Sequence, residues 1–186
     1  TRENLKIKET SSSRETEINE NGQVEEGLLS ELINRLKKIL PDTTCLVMGG
    51  SIPQGIKQDS YHRIIQLAHK FDVKTILDTS GEILKTSLKA GPYLIKPNIN
   101  EVEQIMDFKI NNEENINQAI DNLQEDGVEI VVISLGSQGA VFSRGDQRLR
   151  IKPPAVKVKQ TTVGAGDAMV AGICYGFESK LDLDEI

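Results

Sequence analysis

Apolar residues recur along the chain in two patterns, one typical of helices and one typical of buried strands. From Glu26 to Leu40 they are spaced three and four apart, which predicts an amphipathic helix ended by Pro41. Short continuous apolar runs instead predict strands that are buried on both faces. The strands predicted in this way are 44–48, 73–77, 93–95 and 129–134, and the further helices are 60–71, 98–106, 113–124 and 167–177.

The order of these elements predicts an α/β fold. Strand and helix alternate at least four times, which implies right-handed crossovers and a mainly parallel, doubly wound sheet with helices on both faces. A hairpin is predicted from 140–143 and 147–151. Ligands bind such sheets beyond the carboxyl ends of the strands. We therefore expect the functional residues in the turns that follow the strands, which are 49–51, 78–80, 96–98 and 135–137.

The two ends of the chain have a different character. Residues 1–10 alternate between polar and apolar as a strand does, and a polar run with three serines then extends to Gln23, which predicts a turn or a mobile loop. We interpret 1–186 as a single, truncated domain with this strand and loop in 1–23. The chain has no initiator Met and stops in what resembles the start of a helix. We therefore expect it to be an internal piece of a longer protein.

Charge and composition exclude several classes of function. The net charge is −6, whereas binding to nucleic acid or to an anionic membrane requires a basic surface. No apolar run approaches the roughly 18 residues of a transmembrane helix, and residues 1–10 lack the apolar segment of a signal peptide. The two cysteines, Cys45 and Cys174, lie in apolar runs. We expect them to be reduced core thiols of a cytoplasmic protein.

The glycine-rich segment 161–172 is the strongest candidate for chemistry. Two of its glycines precede the helix predicted from Asp167, so successive backbone N–H groups can point at one anion, and the helix N-terminus adds partial positive charge. Such a site suits a transferring phosphoryl group. The Asp167 carboxylate could then accept the proton of an attacking hydroxyl. The residues alone fit equally well a plain glycine-rich turn in which Asp167 caps the helix.

Four segments, in order along nearly the whole chain, resemble the motifs of the phosphofructokinase-B, or ribokinase-like, sugar kinases. They are Gly50–Gly55, Lys96–Glu101, Ser134–Ala140 and Thr162–Asp167. The retained Asp167 argues against a degenerate, non-catalytic nucleotide-binding relative, which stays open as an alternative. A dinucleotide-dependent dehydrogenase is disfavoured because no G-x-G-x-x-G follows the first strand.

The resemblance implies a reaction, its reactants and its location. It is closest to the family members that use ATP to phosphorylate the 6-hydroxyl of fructose 1-phosphate, which gives fructose 1,6-bisphosphate and ADP. The phosphorylation of tagatose 6-phosphate is the alternative. The family pattern implies ATP, Mg²⁺ and a sugar phosphate as ligands, no nucleic acid or membrane partner, and a cytoplasmic location. It is also compatible with a homodimer formed through a β lid near the N-terminus.

Individual roles follow from the same resemblance, position by position. Asp167 resembles the catalytic base, and the amides around it resemble the anion hole for the γ-phosphoryl group. The residues implied are, for catalysis, Asp167, Gly164, Ala165 and Gly166; for the nucleotide, Ser134, Gly136, Ser137 and Gly139; for the substrate, Arg2, Asn4, Lys6 and Ser51; and for Mg²⁺, Asn98 and Glu101. The residue types alone also allow a capped surface helix at 98–101, a plain strand-turn-strand at 134–139 and an exposed strand at 1–8.

Overall fold

The computed structural model of the chain describes residues 4–9, 15–19, 22, 24–25, 27–153 and 164–186. Its strands are β1 (Asn4–Lys8), β2 (Glu15–Asn19), β3 (Cys45–Gly49), β4 (Lys74–Asp78), β5 (Leu94–Ile95), β6 (Ile130–Ser134), β7 (Ala140–Arg144) and β8 (Gln147–Ile151). Its α-helices are α1 (Leu28–Ile39), α2 (Ser60–His69), α3 (Gly81–Leu88), α4 (Ile99–Ile105), α5 (Glu113–Glu125) and α6 (Ala165–Glu178).

Strands β3 to β8 form one six-stranded sheet in which spatial order follows chain order. Strands β3, β4, β5 and β6 run parallel to their neighbours, and the β7–β8 hairpin completes the sheet in antiparallel fashion. The predicted mainly parallel sheet with a hairpin at its end is therefore confirmed.

Helices cover both faces of this sheet, as predicted. Buried side chains of α1 to α5 form one apolar cluster with one face of the sheet, and those of α6 form a second cluster with the opposite face. In α6 the packed residues are Val170, Ile173 and Phe177, and their spacing of three and four turns one side of the helix toward the strands. The first turn of α6 lies at the rim of the sheet, beside the end of β5.

Three predictions about individual elements were wrong. Strand β3 is not buried on both faces, because Val47 belongs to neither apolar cluster and is 44% exposed. It is an edge strand of the sheet among the described residues. The polar run that was predicted to be a loop up to Gln23 contains strand β2. Helix α6 begins at Ala165 rather than at Asp167, so Asp167 lies inside the first turn and is not the cap.

Strands β1 and β2 form a separate, antiparallel two-stranded sheet. Leu5 lies directly opposite Ile18, and Ile7 lies opposite Thr16. Since side chains alternate between the faces of a strand, these residues share one face. Leu5, Ile7 and Ile18 are each about half exposed or more. The hairpin therefore presents an apolar face to its surroundings.

Candidate active site

The turn Gly49-Gly50-Ser51 follows β3 and is held by hydrogen bonds from two neighbouring elements. The Tyr61 hydroxyl of α2 donates to the carbonyl of the first glycine at 2.8 Å, and the Thr79 hydroxyl donates to the carbonyl of the second at 2.8 Å. The N–H of that second glycine donates to the backbone carbonyl of Asp78 at 3.0 Å. Burial raises the pKa of Tyr61, so its hydroxyl stays a donor. The exposed Ser51 is thus presented on a fixed turn.

A buried ion pair lies where β4 and β5 end. The Lys96 ammonium is 3.0 Å from Oδ1 of Asp78, and the Lys96 side chain is only 7% exposed. A buried lysine usually keeps its charge only with such a partner. The Lys96 Nζ also lies 3.3 Å from the place that a Cβ on Gly166 would occupy. The ammonium therefore lies against the backbone of the first turn of α6.

The first turn of α6 holds the residues for which the sequence predicted catalysis. Gly164 precedes the helix with φ +82°, a conformation that favours glycine. The first N–H groups of a helix lack partners within the helix, and in α6 the Lys96 ammonium adds positive charge beside Gly166 in this turn. Asp167 lies in this turn and is exposed. This turn thus combines free N–H groups with a carboxylate, and an ammonium lies beside it.

Asn98 and Glu101 form a reciprocal cap at the start of α4. The Asn98 side-chain oxygen accepts from the Glu101 N–H at 3.0 Å, and Oε2 of Glu101 accepts from the Asn98 N–H at 2.9 Å. The capped helix start that the residue types also allowed at 98–101 is therefore present. The cap uses only Oε2 of Glu101, so the second carboxylate oxygen takes no part in it. Carboxylate and amide oxygens are the donors that Mg²⁺ prefers, so the pair fits this ion.

The predicted nucleotide loop adjoins this cap. Ser134 pairs with Asn98 in a parallel bridge, and its N–H donates to the carbonyl of Pro97 at 2.9 Å. The loop closes on itself because the Leu135 N–H donates to the carbonyl of Gly139 at 2.7 Å. Gly139 has φ +93°, and a Cβ there would collide with the carbonyl of Ile151, so glycine is required. The two loop residues between them that were predicted to bind nucleotide, Gly136 and Ser137, are exposed.

The structure brings most of the predicted residues to one rim, and it adds two. The turn at 49–51 contacts Asp78, Asp78 pairs with Lys96, and Lys96 lies against Gly166. The sequence analysis expected functional residues in the turns at 78–80 and 96–98, but it assigned no role to Asp78 or Lys96. A charged residue at the carboxyl end of each of two buried strands was the available signal.

Three predicted substrate contacts are not joined to this rim by any described interaction. Arg2 lies outside the described residues. The backbones of Asn4 and Lys6 belong to β1, in the separate two-stranded sheet. Within the described ranges, no three His, Cys, Asp or Glu side chains are grouped closely enough to hold a metal by themselves.

The rim of this α/β sheet combines a buried ammonium, a glycine-led helix N-terminus and an adjacent carboxylate, which are the groups that phosphotransferase sites use. The whole chain, residues 1–186, matches the model described as pfkB family carbohydrate kinase, and the chain belongs to that family. The resemblance inferred from the four motifs is therefore confirmed. No helix in the described part of the chain is both long and apolar enough to cross a membrane.

Similar proteins include two sugar-phosphate kinases. A 1-phosphofructokinase of Borreliella burgdorferi is 38% identical over 97% of this chain and 59% of its own length. A tagatose-6-phosphate kinase of Staphylococcus epidermidis is 35% identical over 88% of this chain and 54% of its own length. The chain thus spans less than two thirds of the length of these relatives.

Solved structures show the same fold. A mutant form of phosphofructokinase-2 of Escherichia coli superimposes with a TM-score of 0.87 at 29% identity, covering 98% of this chain and 60% of that one. Phosphofructokinase-2 of the same organism in complex with substrates and products gives a TM-score of 0.85 at 28% identity, with the same shares of the two chains covered. The predicted ribokinase-like α/β fold is confirmed.

Proposed function

We propose that the protein transfers the γ-phosphoryl group of ATP to the 6-hydroxyl of fructose 1-phosphate, which gives fructose 1,6-bisphosphate and ADP. The observation that carries this proposal is the Lys96 ammonium, buried against Gly166 in the turn that bears Asp167. The name of the Borreliella relative supports the choice of sugar. A degenerate nucleotide-binding module would have no use for a carboxylate at the anion site.

Each group in this turn has a task in the proposed reaction. The Asp167 carboxylate accepts the proton of the attacking 6-hydroxyl as the new P–O bond forms and the bond to the ADP oxygen breaks. The amides of Gly164, Ala165 and Gly166, together with the Lys96 ammonium, stabilise the negative charge on the transferring group. Asp78 holds that ammonium in place through its 3.0 Å ion pair. The loop containing Ser134, Gly136, Ser137 and Gly139 binds the rest of the nucleotide.

Asn98 and Glu101 are the residues that would hold Mg²⁺, together with its waters. The ion supplies charge neutralisation for the nucleotide phosphates and usually keeps several water ligands. In this chain the cap of α4 orients both side chains, since each accepts a backbone hydrogen bond from the other. Glu101 therefore presents a carboxylate oxygen whose position is set before any ligand arrives.

Tagatose 6-phosphate is the second candidate substrate, because tagatose-6-phosphate kinases are 35% identical to the chain. The test is a coupled ADP-release assay of the natural gene product that contains this sequence, with fructose 1-phosphate, tagatose 6-phosphate and fructose 6-phosphate. We expect the highest kcat/KM for fructose 1-phosphate. Preference for tagatose 6-phosphate would support the second candidate, and no turnover with any of them would contradict the proposed kinase activity.

We propose in addition that two copies associate through the β1–β2 hairpin, with Arg2, Asn4 and Lys6 near the phosphate of the sugar. The exposed apolar face of Leu5 and Ile18 supports this, because such a face is usually covered in solution. One E. coli phosphofructokinase-2 structure is described as a tetrameric inhibited form. The two free thiols support a cytoplasmic location for the reaction.

A further inference from the structure

The two cysteines of the chain meet in the layer between the sheet and α6. Cys45 is the first residue of the edge strand β3, and Cys174 lies on α6. Each is free and half-buried, and each packs against the apolar cluster that α6 forms with its face of the sheet. The two side chains therefore lie in the same small region although they are far apart in sequence.

A separate set of contacts places α6 over this end of the sheet. Cys45 pairs in register with Lys74 of β4. The Lys74 ammonium lies 4.9 Å from the ring centroids of both Tyr93 and Phe177. Phe177 follows Cys174 by three residues, so the two share a side of the helix. The helix turn that bears Cys174 is thus located next to the strand that bears Cys45.

The two cysteines are neighbours in this layer, as the shared apolar cluster, the strand register and the Lys74–Phe177 contact place them. Burial, together with the neighbouring Cys45, raises the pKa of Cys174 to about 11. The two sulfurs must close to about 2.05 Å to form a bond. Since both side chains are only half-buried, a small reagent can reach them from solvent.

We propose that Cys45 and Cys174 are a disulfide-forming modification site that cross-links β3 to α6. A low-molecular-weight disulfide, such as oxidised glutathione, is the oxidant. The Cys45 thiolate attacks it and releases one glutathione; Cys174 then loses its proton, attacks the Cys45 sulfur and releases the second. The two protein thiols are oxidised, the glutathione disulfide is reduced, and the two protons end on the released thiols.

The position of this cross-link relates it to the candidate site, although the inference does not depend on the proposed function. Strand β3 leads into the turn at 49–51, and the first turn of α6 contains Gly166, which lies beside Lys96. The bond would join the two elements that frame the rim. Cys174 is a slow nucleophile at neutral pH because so little of it is thiolate. The reaction is therefore expected to be slow, and it will stabilise the fold rather than report rapid redox changes.

Native protein treated with oxidised glutathione tests the proposal by intact mass. We expect the wild-type chain to lose two hydrogen atoms, to carry no glutathione adduct and to yield one peptide pair joined through Cys45 and Cys174. The cross-linked form should unfold at a higher urea concentration than the reduced form, because the bond restricts the unfolded chain. Dithiothreitol should reverse both changes.

Two single variants and a denatured sample complete the experiment. Cys174→Ser keeps the Cys45 thiol and should take up one glutathione, whereas Cys45→Ser keeps only the slow Cys174 thiol and should take up glutathione much more slowly. Neither variant should gain urea resistance. In urea the two thiols of the wild type are far apart, so adducts should predominate over the cross-link. Wild-type protein that carries two adducts under native conditions, or that cross-links no more readily when folded than in urea, would overturn the proposal.

Discussion

Asp167 is the residue on which the proposed chemistry depends most directly. In the natural gene product, Asp167→Asn keeps the shape of the side chain but removes its ability to accept a proton. We expect kcat to fall by about 10²- to 10⁴-fold, the usual value of a general base, with little change in ATP affinity. Steady-state kinetics and an ATP titration measure the two effects. Asp184→Asn, which makes the same change at an exposed acid, is the control, and a D167N variant with most of its turnover would contradict the assignment.

Gly166 allows the first turn of α6 to approach the Lys96 ammonium. In Gly166→Ala the added methyl group would lie 3.3 Å from Nζ, so the ammonium must shift away from the anion site. We expect weaker ATP binding and lower kcat from a protein that is still folded. Gly172→Ala on the same helix is a matched control, because a Cβ there meets nothing within 4 Å. It should gain roughly 0.5–1 kcal/mol of stability and keep its activity, and equal kinetics in the two variants would argue against an anion hole at Gly166.

Residue types and spacing were sufficient to predict the glycine-rich turn, the Asn98 cap and the nucleotide loop as candidates. They did not give Lys96 a role of its own, although it lies in one of the motifs. The role proposed for Lys96 rests on its burial and on the approach of Gly166, which lies far away in the sequence. A lysine in a sequence is normally a solvated residue, and only the packing of α6 against the end of β5 shows otherwise.

The start of α4 combines a structural and a proposed metal-binding task, and one substitution separates them. Gln at position 101 can still accept the backbone hydrogen bond of the capping box, so Glu101→Gln should leave the melting temperature nearly unchanged. It removes the carboxylate charge that organises the Mg²⁺ shell. We expect a higher Mg²⁺ concentration for half-maximal rate. An unchanged Mg²⁺ titration would remove Glu101 from the site.

The β1–β2 hairpin tests the proposed association of two copies. Ile18→Lys places a charge at the centre of its apolar face, opposite Leu5, where association would bury it at high cost. We expect a smaller particle in sedimentation equilibrium at the same concentration. Ile39→Lys changes an equally exposed isoleucine of α1 and should leave the mass unaltered. If the two variants have the same mass as the wild type, another surface must join the copies.

The sequence predicted the helices and strands in which apolar residues are regularly spaced, and it missed those in which they are not. Strand β2 lies in a polar run where only Ile18 is strongly apolar, so it forms by pairing with β1 rather than through a pattern of its own. Helix α3 is short and was not predicted, although Leu84 and Leu88 lie one turn apart on its buried side. That β3 is an edge strand depends on which strand pairs with which, and local periodicity does not contain that information.

The molecule as a whole spans 59% of the length of the Borreliella relative, and this sets an expectation for the isolated 186 residues. Phosphoryl transfer depends on positioning, and bringing two reactants together can be worth about 7–11 kcal/mol. We predict no sugar-dependent ADP release and weak ATP binding from these residues alone. Exposed apolar side chains of α1 and of the β3 edge, Leu28, Leu32 and Val47, should also promote self-association.

Assay of the isolated residues beside the natural gene product at equal concentration measures this difference. Light scattering of the same samples reports the association. The natural product should turn over, and the isolated chain should not. Phosphorylation of fructose 1-phosphate by the 186 residues at an ordinary enzymatic rate would show that the sugar site is contained within them.

The order of the main sheet has a consequence for how the chain reaches its structure. From β4 to β8, every strand of the main sheet pairs with the strand that precedes it in the chain. Each pairing therefore closes a loop that contains only the segment between those two strands. The entropy lost on closing such loops is small, and topologies with local contacts fold faster than those that must join distant segments. Each new strand can therefore add to an edge that has already formed, in the direction in which a ribosome delivers the residues. Helix α6 comes last, and it adds its part of the proposed anion site to a sheet that is already in place.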